Sequence, residues 1–395
     1  MPPKPVLTAH HCDDDHTISE GRRRMTTDRF IVAGGGYAGL AAIRSLVSSG
    51  CPDVHLIDPS PVHQLVTELP DAFRIGGTVD AHVIPFDRLL RGTGVTRHED
   101  TVVRVDVRHG RLWTGSGGVL TYKSLLVSIG SSPQYVSVPG LQGQAIPLRT
   151  VADARRLHER LARRTGQRVV VMGGGLTGVE LAGALAGEHH VILVERAARI
   201  LPGFGPGLAQ YAERILRRLG VVVCVSRAVI VVNGDCVELE GGDVIPYDTL
   251  VWAGGVAPSP QLSWDGADVD ADGYPVADGW GQVAPGVFVA GDLWRVVTDG
   301  QMFPQTANVA LEAGRFAGRA MRRWSQGRAL GSRFRPHLRG MLVSLDSTRG
   351  VGWVVSQGIP LRGSSVSRLK RLVFTRYRRG LARAVSSHPR MRPQE

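Results

Sequence analysis

The chain has 395 residues, 43% of them hydrophobic and 21% charged, and a formal net charge of +12. That length predicts two or three domains at about 150 residues each, and the composition is that of a globular protein able to bury a sizeable core. The positive balance suits an acidic partner such as nucleotide phosphate, anionic lipid or nucleic acid. The four cysteines, Cys12, Cys51, Cys224 and Cys236, form neither a C-x-x-C nor a zinc spacing. This argues against a disulfide framework and for a reducing, cytoplasmic setting. No apolar run reaches about 18 residues, so no segment is predicted to span a bilayer.

Residues 1–27 are polar, charged and Pro-containing, with no apolar face to bury, and are expected to form a disordered tail. No apolar stretch follows the N-terminal charges, so a cleavable signal is not predicted. His10, His11, Cys12, Asp13, Asp14, Asp15 and His16 read better as a solvated tail than as metal ligands, and no metal site is expected elsewhere. Met25 is the expected natural start, with the residues before it dispensable.

The first informative stretch opens at Arg29. Phe30-Ile31-Val32-Ala33 reads as a buried parallel strand, followed at once by Gly34-Gly35-Gly36-Tyr37-Ala38-Gly39 and a helical run from Leu40 to Val47. In this spacing Gly34 permits the tight turn, Gly36 lets backbone approach a pyrophosphate, and Gly39 lets helix and strand pack closely. The helix N-terminus then offers free N–H groups and its positive dipole end to the phosphates. The next strand, Val54 to Ile57, ends in Asp58, where a ribose diol needs a carboxylate.

The pattern repeats. Arg168 to Met172 is a second strand, Gly173-Gly174-Gly175-Leu176-Thr177-Gly178 a second fingerprint, and Val191 to Val194 a strand ending in Glu195. Gly173, Gly175 and Gly178 take the same three roles, and two fingerprints in one chain imply two dinucleotides. The downstream parts repeat as well. Leu120 to Gly130 and Ile245 to Gly255 are returning strands that end in glycine. Each follows a predicted meander with a turn signal, His109-Gly110 or Asn233-Gly234, and each precedes a proline, Pro133 or Pro258. Gly130 and Gly255 are thereby placed beside a cofactor, where a side chain would collide. Glu195 accepts hydrogen bonds from a ribose diol and repels a 2′-phosphate, so NADH is favoured over NADPH, with Arg196 as a countervailing charge.

Gly286 to Asp292 is a further strand running into Gly-Asp, and Pro304 to Met321 reads as a helix. With these motifs in order, Phe30 to about Arg335 resembles the two-dinucleotide-binding flavoprotein superfamily of glutathione-reductase type. The resemblance implies an α/β fold with two Rossmann-like domains, the NAD domain inserted in a split FAD domain. FAD binding is expected over 28–150 and 284–333, NAD(H) binding over 151–283, and a small C-terminal region over 334–395. It also implies that the first fingerprint holds the FAD diphosphate, the second the NADH, and Asp292 the ribityl chain. The superfamily's disulfide reductases carry a redox Cys pair near the first fingerprint or inside the second module; here Cys51 is alone and Cys224 and Cys236 lie in the meander. Electrons are therefore expected to pass directly to an external acceptor.

Within the superfamily the chain is similar to type II NADH:quinone dehydrogenases. In that group a glutamate follows the second fingerprint, which maps to Glu180 and implies a proton relay near nicotinamide and flavin. A helix N-terminal carboxylate favoured by the dipole is the equally weighted structural reading of Glu180. An Ala-Gln-x-Ala-x-Gln segment lines the quinone side in the group. The corresponding stretch here carries Gln305 and Ala307, but Asn308 and Glu312 stand where glutamines are expected. Gln305 and Asn308 are the candidates for that face. Phe334 to Gly352 resembles the group's following strand pair. The implied activity takes a hydride from NADH to FAD and passes two electrons to a quinone. The alternatives are a soluble reductase of a ferredoxin-like protein, a small-molecule tailoring oxidoreductase, and a non-enzymatic NAD(H)-sensing flavoprotein.

Val366, Leu369, Val373, Tyr377, Leu381 and Val385 make one apolar helical stripe, with Arg368, Arg371, Arg376, Arg378, Arg379 and Arg383 around it. A basic amphipathic helix over 365–386 suits an anionic membrane surface, with Phe374 and Tyr377 inserted, against the alternative of a surface helix packed on the FAD domain. A peripheral position on the inner face of the cell membrane follows, a homodimer is compatible with it, and no recognition motif supports nucleic-acid binding.

Overall fold

The computed structural model describes residues 28–135, 138–298, 300–355 and 358–386. The expected tail over 1–27, with its His-Cys-Asp cluster, lies outside the described residues.

Two parallel sheets form the frame. The first runs in the order Gln282–Ala284, Val287–Val289, Ser124–Val127, Phe30–Ala33, Val54–Ile57, Thr96–His98, with only its first strand antiparallel. The second runs Ile146–Pro147, Thr249–Trp252, Arg168–Met172, His190–Val194, Val222–Cys224, all parallel. Phe30–Ala33 and Ser124–Val127 are buried along their whole length, which is why they read as continuous apolar runs rather than alternating ones. In each sheet the fingerprint strand is flanked by the next strand on one side and the returning strand on the other. The order therefore reverses at the fingerprint, which opens a crevice at the carboxyl ends of the strands.

The antiparallel meanders expected from the turn signals are present, Val102–Asp106 with Arg111–Thr114 and Val119–Thr121, and Val229–Val232 with Cys236–Leu239 and Val244–Pro246. Beyond the returning strands the two modules touch, Ser132–Pro133 pairing antiparallel with Val256–Ala257.

The first fingerprint helix, Tyr37–Ser48, lies against the helix Ala307–Ser325. Their approach depends on small residues, since a Cβ at Gly314 would overlap the carbonyl of Ala38. Thr306 caps the second of these helices by accepting the Val309 N–H, so it starts three residues after the proline that had marked it in the sequence.

Gly340–Ser344, Gly350–Val354 and Ile359–Gly363 form an antiparallel sheet of three strands, one more than the expected pair. Val343, Leu345, Val351 and Trp353 share a core with Val179, Leu181 and Leu216 of the second module. Gly183 of the second fingerprint helix admits the Leu345 carbonyl where any side chain would obstruct it.

The C-terminal helix, Ser364–Ser386, forms as expected, but its inner face adds two polar residues to the apolar stripe and leaves one stripe residue outside. Val366 and Leu381 are buried, as are Ser367 and Lys370, whereas Val373 is 49% exposed. The expectation that Tyr377 enters lipid is corrected: its ring packs 5.3 Å from that of Tyr37 and its hydroxyl lies 3.0 Å from His63 Nε2. Phe374 is half-buried with the Lys370 ammonium 5.3 Å from its ring centre. No helix among the described residues is long and apolar enough to cross a membrane.

Candidate functional site

The first fingerprint opens on a cavity of about 200 Å³, room for a polyatomic ligand rather than a single water. Gly34, Gly36, Asp58, Gly130 and Asp292, all singled out from the sequence, line it together. Gly34 has φ +94° and Gly173 φ +111°, the left-handed turn that only glycine adopts freely. A Cβ at Gly36 or Gly175 would meet nothing within 4 Å, so both loops leave open space in front of a helix N-terminus. Gly39 and Gly178 lie beneath, where a Cβ would overlap the carbonyl oxygens of Gly34 and Gly173. The three glycines of each loop thus serve as turn, opening and packing contact.

The acids that follow are matched as closely. Asp58 accepts the N–H groups of Gly35 and Ser60 at 2.6 and 2.8 Å, and Glu195 those of Gly174 and Ala197, both at 2.6 Å. Burial pushes the Asp58 carboxyl up, and the two N–H groups draw it back. Each oxygen spends one lone pair on the loop and keeps another for a ligand hydroxyl.

Asp292 closes the far side of the cavity. Its Oδ2 accepts from Ser131 Oγ at 2.9 Å and from the Arg149 guanidinium at 2.8 Å, which leaves Oδ1 for a ligand. Arg149 also donates to Ser131 Oγ at 2.7 Å. Ser131, Arg149, Thr150 and Gln64 line the cavity and were missed by sequence reasoning. Thr150 and Asp153 form the capping box of the helix Val151–Ala162, a T-x-x-D signal that was there to be read directly after Arg149. A Cβ at Gly130 would meet nothing within 4 Å, whereas one at Gly255 would lie 3.2 Å from Gln134 Oε1.

The three residues proposed for chemistry lie off the cavity lining. Gln305 donates to the Asp292 carbonyl at 2.8 Å and to the Tyr274 hydroxyl at 3.2 Å, so it borders the site through the backbone of Asp292. Asn308 donates to the His337 carbonyl at 2.9 Å, and Glu312 accepts the His337 N–H at 2.9 Å. The two departures from glutamine thus staple the segment that leads into the C-terminal sheet. Glu180 is buried and makes an ion pair with Lys370 of the C-terminal helix, while accepting the Ser344 N–H at 2.8 Å. Burial pushes its carboxyl up against the opposing pull of the ammonium. Among the described residues Cys51, Cys224 and Cys236 are free, and none lines the cavity.

The sequence pattern of the pyridine nucleotide-disulphide oxidoreductase family matches residues 28–314. The chain belongs to that family. A type II NADH:quinone oxidoreductase of Staphylococcus aureus is 25% identical over 401 aligned positions, covering 89% of this chain and 96% of that protein. Among solved structures, NDH2 from Plasmodium falciparum in complex with NADH shares the fold at a TM-score of 0.78 and 14% identity, covering 92% of this chain and 99% of that one. A ferredoxin reductase for the CYP199A2 system from Rhodopseudomonas palustris does so at 0.71 and 19%, covering 89% and 94%. This pyridine nucleotide oxidoreductase is a flavin enzyme dependent on NAD(P)H, with FAD and NADH as its cofactors. The residues present fit both groups: two open cradles, each before a helix N-terminus and each with a carboxylate beyond the next strand.

Proposed function

We propose that this chain oxidises NADH and delivers the electrons to a quinone at an anionic membrane surface. The observation that carries the reading is the cysteine-free lining of the cavity, which gives electrons no disulfide to reduce inside the protein. The near full-length similarity to a protein named for NADH and quinone supports the choice of acceptor.

In this reading Gly34, Gly36 and Gly39 hold the FAD diphosphate, Asp58 its ribose and the free oxygen of Asp292 its ribityl chain, with Gly130 giving close approach. Gly173, Gly175 and Gly178 hold NADH, Glu195 its ribose, with Gly255 alongside, so that 151–283 is the NAD(H)-binding domain. When bound there, FAD would supply two-electron redox chemistry, hydride acceptance from NADH and onward transfer of the electrons. The protein binds, orients and excludes water. Glu180 relays protons toward the reduced acceptor through its pair with Lys370, and Gln305 and Asn308 border the face where that acceptor arrives.

The membrane part rests on the outer face of the C-terminal helix. Leu372 is 62% and Val373 49% exposed, among the exposed Arg368, Arg371, Arg376 and Arg379, and Ile359 just before the helix is 51% exposed. Apolar side chains flanked by arginines suit a position at headgroup level on the inner face of the membrane. A second reading, a soluble reductase of a ferredoxin-like protein, draws on the shared fold with a ferredoxin reductase and on Asn308 and Glu312. It requires full activity without lipid.

Anaerobic mixing with NADH and then a quinone analogue decides the acceptor, read on the flavin band near ~450 nm. Rapid bleaching followed by rapid recovery is the expected result; bleaching without recovery rules out the quinone. Nucleotide choice has its own test. Glu195→Ala should weaken both nucleotides by loosening Gly174, but lower the NADH-to-NADPH preference about tenfold by removing the charge that repels a 2′-phosphate. An unchanged ratio of kcat/KM values would place the preference elsewhere.

A further inference from the structure

The two fingerprint loops are held by different means. In both, a carboxylate takes the N–H of the middle glycine, Gly35 or Gly174. The carbonyl of that same glycine is also held in both. That of Gly174 accepts the Leu201 N–H at 2.7 Å, a backbone latch within its own module. That of Gly35 is met instead by a side chain, His63 Nδ1 at 3.0 Å. His63 is 0% exposed, and its other nitrogen lies 3.0 Å from the hydroxyl of Tyr377 on the C-terminal helix.

The roles in this line are fixed by chemistry. A carbonyl can only accept, so Nδ1 carries the proton, Nε2 is the acceptor, and the Tyr377 hydroxyl donates. Burial pushes the imidazole down to about 4 and the phenol up, so at neutral pH both groups are uncharged and the set of donors and acceptors is complete. Tyr37 packs its ring 5.2 Å from that of His63 and lines the cavity itself. In a trans peptide the carbonyl and the following N–H point in opposite directions. Holding the Gly35 carbonyl against His63 therefore turns the Gly36 N–H away from it, and Gly36 is the residue with open space before it.

We propose that His63 is a positioning residue for the FAD diphosphate, oriented by Tyr377, so that tight flavin binding requires the C-terminal helix to be docked. The inference rests on the reading of the first fingerprint as the FAD site. It ties the first loop to the end of the chain through a side chain, whereas the latch on the second loop, Leu201 to Gly174, lies within its own module.

The test uses full-length holoprotein, with FAD release on dilution followed by flavin fluorescence and NADH affinity followed by calorimetry. His63→Ala should weaken FAD about tenfold, the worth of one buried hydrogen bond, and leave NADH affinity unchanged, because the second loop keeps its own latch. His63→Asn, whose amide can donate from near the Nδ1 position, should return FAD affinity to within about twofold of the parent, and Tyr377→Phe should weaken it about threefold. Equal losses of FAD and NADH affinity, or no rescue by His63→Asn, would overturn the proposal. If His63→Ala does not fold, Tyr377→Phe decides alone, since it removes a single oxygen. A parent protein that holds no FAD would sink the reading of the site; a parent that holds it as tightly as Tyr377→Phe does would sink only this inference.

Discussion

Lys370→Met is expected to destabilise the protein by about 3–5 kcal/mol, the cost of leaving a buried charge without its partner. Glu180 and Lys370 are buried against each other between the second fingerprint helix and the C-terminal helix. The Ser344 N–H is the carboxylate's other donor, too little to replace an ammonium. The loss should depend on pH with a definite sign. Burial raises the folded-state value of Glu180, and removing Lys370 raises it further. A carboxyl whose folded value lies above its unfolded one favours folding in acid and loses that advantage as pH climbs through the folded value. The penalty should therefore be largest at alkaline pH and shrink as the medium is acidified. Glu180→Gln combined with Lys370→Met should recover most of the stability, because no buried charge remains. Urea midpoints for the parent, Lys370→Met and the double variant at two pH values measure all of this, and an unchanged midpoint for Lys370→Met would mean that the pair is not shut away from water.

Gly178→Val should lower NADH affinity on the order of 100-fold while the protein stays yellow. The added Cβ would overlap the Gly173 carbonyl, and Gly173 cannot retreat because its N–H is bonded to the Val194 carbonyl at 2.8 Å. The Ala253 methyl stands 3.3 Å away on the other side. The helix N-terminus must then leave the strand, and with it the N–H groups that face a diphosphate. Dithionite should still bleach the flavin in this variant and NADH should not. Normal bleaching by NADH would show that the second fingerprint is not the nicotinamide nucleotide's cradle.

Both fingerprints, their strands and the meanders between were legible because each is a local pattern. A glycine's role follows from its neighbours within a few residues, and Gly39 and Gly178 sit against the carbonyls that their spacing requires. What escaped was carried by pairs distant in sequence. Lys370 reaches Glu180 across 190 positions and Tyr377 reaches His63 across 314. Hydrophobic periodicity assigns lysine to solvent and tyrosine to a wet boundary, so the C-terminal helix was oriented by its apolar stripe. Lys370 and Ser367 share its inner face with Val366 and Leu381 of that stripe, and Val373 is exposed. Asn308 and Glu312 were noticed as departures from a family pattern, yet their partner, the backbone of His337, has no side-chain signature to search for.

The short ladder between the modules carries a consequence for how two ligands meet. Gly130 and Gly255 end corresponding strands of the repeat, so Ser132 and Ala257 are counterparts, and in the ladder they face each other. A residue that meets its own counterpart lies on a local dyad, the geometry of an isologous contact between identical subunits. The two halves of this chain therefore join as the subunits of a dimer would, tied by a covalent link that makes their effective concentration independent of dilution. The carboxyl ends of the returning strands lead into that dyad from either side. Two ligands, once both seated beyond them, would meet in a first-order encounter that dilution does not slow.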